Sequence, residues 1–277
     1  MIGRKAIVGL SLLCALMFCA FAAQGAQAAK GTTAVTCVKV GGTLGGFTDA
    51  HCAKEGSGEF ALQDTITAGT KTAITGSNAK TEANTTAAKR STLKGTSLGV
   101  EVLITCTTVS STGEIENKAG PPMSIEGKKI FVTYGGCIVE KPGPNICKVH
   151  SPGKTAGNIT TNEITAESGT MNETTGEMSG KFKPTTGTTF VKLEFESEAG
   201  QFCALPTTNV EGFVESTNPN GEATPKASPT AEGAATVTFE TEAMSHLTVF
   251  GGASTYTGAE TVSMSAGNPI AVVTTAT

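Results

Sequence analysis

Serine, glutamate and histidine each occur in a pattern that could do chemistry. Gly95-Thr96-Ser97-Leu98-Gly99 matches the G-x-S-x-G pentapeptide of serine hydrolases. That motif works because its serine sits on a sharp strand-to-helix turn over a parallel sheet. Here Val100 to Cys106 read as strand and no βα alternation surrounds them, so the pentapeptide predicts a hairpin turn with Ser97 as an ordinary turn residue. Glu194, Glu196 and Glu198 fall on one face of a predicted strand. Two carboxylates flanking one bond are the apparatus of glycoside hydrolysis. Carbohydrate sites also lean on aromatic platforms, and this chain has no Trp and only Tyr134 and Tyr256. A solvated strand face is the simpler reading. His51 stands beside Cys52 and near Asp49 in a glycine-rich stretch, and an imidazole titrating near neutrality suits acid–base or metal work. Cys52 reads as bridged, which leaves His51 a solvated loop residue. His150 and His246 complete the histidines. These residues assign no catalytic, cofactor-binding or metal-ligating site, and no cofactor is expected.

Other matches carry less. Gly153-Lys154-Thr155 imitates the end of a phosphate loop, but Lys148 stands where the first glycine belongs. Leu205-Pro206-Thr207-Thr208-Asn209 resembles a sorting signal without its glycine or a hydrophobic tail. Asn84, Asn158 and Asn172 begin N-x-T triplets, which arise freely in so threonine-rich a chain.

The N-terminus sets the context. Arg4 and Lys5, the apolar stretch Ala6 to Ala23 and the small residues of Ala26-Gln27-Ala28 predict a signal peptide over 1–28, cleaved after Ala28. An uncleaved anchor is the alternative, although the run is short for a spanning helix. No later segment approaches ~20 apolar residues, so no membrane span is expected after cleavage. Cys37, Cys52, Cys106, Cys137, Cys147 and Cys203 remain. An even number without Cys-x-x-Cys in an exported chain predicts disulfides over zinc. Connectivity stays open among 15 pairings. Local closure favours Cys37–Cys52 and Cys137–Cys147, which leaves Cys106 with Cys203 as the long bridge.

Removing Arg4 and Lys5 from 20 basic residues leaves 18 against 24 acids, a net charge of −6. Arg90 is then the sole arginine, so nucleic-acid recognition is not expected. After the predicted cleavage at Ala28, Val and Ile outnumber Leu 28 to 8 and Thr is abundant. Branching at Cβ suits the pleated strand, and the fold class expected is all-β: an antiparallel sandwich or barrel, disulfide-braced. The clearest strands are Val100–Cys106, 129–134 and 190–198, with later ones at 236–242 and 246–250 before a small-residue tail. Asn162, Glu163, Thr165 and Glu167 recur ten residues on, which predicts a hairpin with similar arms. The organisation expected is a disulfide-looped segment over 29–67, a linker or exposed hairpin over 68–90, and a main β domain over 91–277 with a mobile loop at about 217–233.

Ile104-Thr105-Cys106, Ser111 to Ile115, Gly135-Gly136-Cys137, Cys147-Lys148-Val149, Ser151-Pro152-Gly153, Phe190 to Cys203 and Val210-Glu211-Gly212 together resemble a group of exported β-proteins from soil actinobacteria. The resemblance covers roughly residues 91–220. It implies architecture and export and brings no active site. The function expected is that of a secreted, non-catalytic envelope or extracellular-matrix protein that binds an envelope or extracellular partner. Its Thr-rich, aromatic-poor faces suit hydrated surfaces better than small-molecule pockets. The rival is a secreted hydrolase using the glutamates or His51.

Overall fold

The computed structural model describes residues 31–43, 45–50, 52, 54–64, 69–78, 90–120, 124–171, 178–218, 235–239, 245–265 and 270–275. The predicted signal peptide, His51, Asn84 and Asn172 lie outside them, as does most of the predicted loop at 217–233. Every regular element among the described residues is a strand, and every strand pairing is antiparallel.

In chain order, β1 (Gly31–Lys39), β2 (Gly45–Phe47), β3 (Glu55–Gly58) and β4 (Phe60–Asp64) precede β5 (Thr72–Asn78), β6 (Ser91–Ser97) and β7 (Val100–Cys106). Next come β8 (Thr108–Lys118), β9 (Ser124–Gly135), β10 (Ile138–Lys141), β11 (Cys147–His150), β12 (Ile159–Thr160), β13 (Ile164–Met171) and β14 (Met178–Pro184). The last are β15 (Thr189–Ser197), β16 (Thr208–Asn218), β17 (Ala235–Phe239), β18 (Ser245–Val249), β19 (Gly252–Met264) and β20 (Ile270–Thr275).

The pairings resolve sandwich against barrel. β5, β8, β9, β13, β14 and β16 pair successively in that order. β16 then pairs with β17 and β18, two successive pieces of one interrupted strand. Both pieces pair with β19, and β19 returns to β5 from Glu260↔Asn78 to Met264↔Ile74. The ring closes as an up-and-down barrel of eight positions, a size whose interior is filled by side chains or holds one small ligand.

Further strands cover the ends. Near the start of β19, the hairpin β6–β7 and the edge strand β10 extend the sheet. At the start of β16, β15 and β11 do the same. The opposite end meets the small sheet β20-β1-β4-β2-β3. There Ala34 and Ile270 pack with Ile74, Ile115, Ile125, Val262 and Met264. Buried Asn117 at the end of β8 grips β1, accepting from Ala34 N–H at 2.9 Å and donating to Ala34 C=O at 3.1 Å.

Several expectations need correction. Residues 72–78 are no linker: β5 is a barrel stave between β8 and β19. The main domain does not run from 91 to the C-terminus, because β5 joins the barrel from before it and β20 leaves to pair with β1. The small-residue stretch after 250 contains β19, at 13 residues the longest strand described. Only the first copy of the ten-residue echo is seen in an arm of the β13–β14 hairpin; its second copy lies at 172–177, outside the described residues.

All six predicted cysteines form disulfides, but two bridges differ from local closure. Cys37–Cys52 forms as expected, whereas Cys106 joins Cys137 and Cys147 joins Cys203. Register explains the exchange. Ile138 pairs with Thr105, which brings Cys137 beside Cys106 at the end of β7. Cys147 pairs with Ser197, and the chain beyond Ser197 curls back so that Cys203 N–H donates to Ser197 Oγ at 3.0 Å. Sequence proximity is a poor guide where strand neighbours are distant in the chain.

Candidate functional site

The barrel wall builds the site. Alternate residues of a strand face opposite sides. The inward positions supply Ile74 on β5, Ile130 and Val132 on β9, Ile164 on β13, Phe182 on β14 and Val214 on β16, with Phe190, Val191 and Leu193 closing in from β15. They line a cavity of about 150 Å³. Packing alone would favour larger side chains at its several valines.

One part of this wall is polar. Glu260, Ser111, Tyr134, Tyr256 and Ser91 all border the cavity. Ser111 Oγ donates to Glu260 Oε2 at 2.8 Å. The Tyr134 hydroxyl donates to that of Tyr256 at 3.1 Å, and Tyr256 donates to Ser91 Oγ at 3.4 Å. The two tyrosine rings meet edge to face, their centroids 6.1 Å apart. Burial raises the Glu260 carboxyl from 4.5 to about 7, against the opposing effect of the Ser111 hydrogen bond. Burial, followed by the Glu260 charge, pushes the Tyr256 hydroxyl up to about 12, and Tyr134 is raised as well. Two glycines make room for the group. A Cβ at Gly76 would lie 2.2 Å from Ser111 Oγ and 3.0 Å from Glu260 Oε2; one at Gly258 would lie 2.8 Å from the Tyr256 hydroxyl.

Sequence reasoning missed this cluster. Neither β5 nor β19 shows the apolar alternation that marks a half-buried strand, because their inward positions include Gly76, Gly258 and Glu260. The available signal was a lone glutamate among small residues at the end of Thr255-Tyr256-Thr257-Gly258-Ala259-Glu260.

The residues singled out from sequence fall elsewhere. Ser97 ends β6, and the β6–β7 hairpin turns through Leu98 and Gly99, both at positive φ, with Ser97 paired to Val100. That is a two-residue type I′ turn, and Ser97 itself is buried. The three glutamates belong to an ion-pair ladder across β11 and β15. Glu194 meets Lys192 at 2.9 Å, and Glu198 meets Lys148 at 3.4 Å. Buried His150 sits across from Glu194, its Nε2 3.3 Å from Glu196 Oε1 and its Nδ1 3.0 Å from Ser151 O. None of these four lines the cavity. His246 stacks on Phe213, 4.3 Å between centroids. Asp49 Oδ2 accepts from Lys54 N–H, bracing the loop that carries Cys52.

A second ionic cluster spans β8 and β9. Lys118 and Lys128 each contact both Glu116 and Glu126 at 2.7–3.0 Å. Hydrogen bonds from Lys118 and then Lys128 hold Glu116 down at about 2. Among the described residues no group of three or more His, Cys, Asp or Glu is arranged to hold a metal ion, and no helix is long and apolar enough to cross a membrane. Family models, curated proteins and solved structures gave no match to this chain.

Proposed function

We propose that the protein is exported, resides in the cell envelope or extracellular matrix, and works there by binding a partner rather than by turning over a substrate. The observation that carries this reading is the β11–β15 ladder. Its carboxylates lie outside the barrel cavity, Glu194 paired with Lys192, Glu198 with Lys148, and Glu196 3.3 Å from His150 Nε2, instead of facing each other across a cleft. Glycoside hydrolysis requires two carboxyl groups converging on one bond. Three disulfides among the described residues suit an oxidising compartment. The resemblance to exported actinobacterial β-proteins supports the same location.

The test has two arms. Fractionation of the producing cells should recover the chain, oxidised and starting at Ala29, from the medium or envelope, and purified protein should sediment with isolated envelope material. A cytosolic chain with free thiols would overturn the location. Turnover of a nitrophenyl glycoside that Glu194→Gln or Glu196→Gln abolishes would establish the hydrolase instead.

A further inference from the structure

We infer that the barrel interior is a binding site for one compact apolar alcohol or phenol, of a size near a single six-membered ring. This goes beyond the surface-binding reading and does not depend on it. Size comes first. The cavity measures about 150 Å³, and an apolar protein cavity of about that volume accepts benzene. The body of the ligand would lie among Ile130, Val132, Ile164, Leu193 and Leu247, all of which border the space.

The polar patch then selects the functional group. Three hydroxyl protons are directed at partners within the cluster: Ser111 at Glu260, Tyr134 at Tyr256, and Tyr256 at Ser91. Above about pH 7, where Glu260 is ionised, its carboxyl is an acceptor-only group with four lone-pair sites. A ligand that engages it there must donate. A carboxylate or phosphate would place a second negative charge beside Glu260, with no Lys, Arg or His among the described lining residues to compensate.

Phenol and toluene have the same shape and differ in the donor, so they are the probes, with benzoate as the charged control. Methyl NMR of the intact oxidised protein at pH 8 should show phenol shifting the resonances of Ile130, Val132, Ile164, Leu193 and Leu247 while sparing exposed Leu98 and Val100. Phenol should bind about five- to tenfold tighter than toluene, the worth of one hydrogen bond, and benzoate should not bind. Glu260→Leu should abolish the preference while still binding toluene. No shift at millimolar phenol, shifts confined to Leu98 and Val100, or equal affinity for phenol and toluene in the native protein would each overturn the inference. The native comparison stands even if the variant does not fold.

Discussion

Replacing Glu260 by Gln should make the protein more stable at neutral pH and leave it nearly unchanged in acid. Glu260 is buried, and desolvation lifts its carboxyl from 4.5 to about 7. In the unfolded chain the group ionises near pH 4.5, while in the folded barrel it holds its proton until about pH 7. The folded state therefore binds more protons throughout this window, and stability falls as pH rises through it. Each pKa unit is worth about 1.4 kcal/mol, so the shift amounts to roughly 3 kcal/mol. Below about pH 4.5 the contribution is fully present, and above about pH 7 it is gone. Glutamine reproduces the protonated carboxyl in size and cannot ionise, so its stability has no such slope. Urea unfolding of the oxidised protein at intervals from pH 4 to pH 8.5, for wild type and Glu260→Gln, isolates the effect as the difference between two curves. The variant should gain about 3 kcal/mol on the wild type between the extremes. Parallel curves would refute the assignment. Glu116 cannot imitate the result, because its folded pKa is depressed to about 2; its contribution is lost only as pH falls from about 4.5 toward 2, outside the Glu260 window.

The Cys147–Cys203 bridge spans 56 residues and Cys37–Cys52 spans 15. Chain entropy gives about 4 and about 3 kcal/mol respectively, so double alanine replacement of the first pair should lower the melting temperature more; the reverse order would contradict the loop argument. Leu98 is 96% exposed at φ 50° in the β6–β7 turn. Leu98→Asn should stabilise by about 1 kcal/mol, since Asn-Gly is the favoured type I′ pair and no packing is lost; an unchanged denaturant midpoint would argue against the turn geometry. Asn117→Ala removes both bonds to Ala34 and should cost about 1–3 kcal/mol. Hydrogen exchange should then accelerate at β1 and spare β9, and uniform acceleration would show that the small sheet and the barrel open as one unit.

Where burial and alternation coincide, the chain was readable. Val102, Ile104 and Cys106 are buried along β7, and Val191 and Leu193 along β15, as period-two patterning predicts, although Val100 at the head of the same face is exposed and Thr105 and Phe190 are buried out of phase. Legibility failed for three physical reasons. Barrel closure depends on β19 meeting β5, a pairing between residues nearly 190 positions apart that no local pattern encodes. The staves beside the polar patch carry glycine and glutamate inward, which breaks the apolar alternation a reader looks for. Cys106 of β7 bridges Cys137 just ahead of β10, and Cys147 of β11 bridges Cys203 beyond β15, following strand neighbours, so the shortest loop between them is not the one closed. The cavity with Glu260 has no counterpart in any local pattern of the sequence.

The pairing of Gly31 with Thr275 also sets the order of events as the chain folds. β1 finds β4 early, since Val35 to Lys39 pair with residues only 21 to 29 positions ahead. Its other edge belongs to β20, which begins about 200 residues after β4 ends. Until β20 docks, the folding chain carries that edge open, and an open edge recruits any strand it meets. A chaperone that shields Gly31–Thr36 until the last strand arrives would act where this fold is most vulnerable.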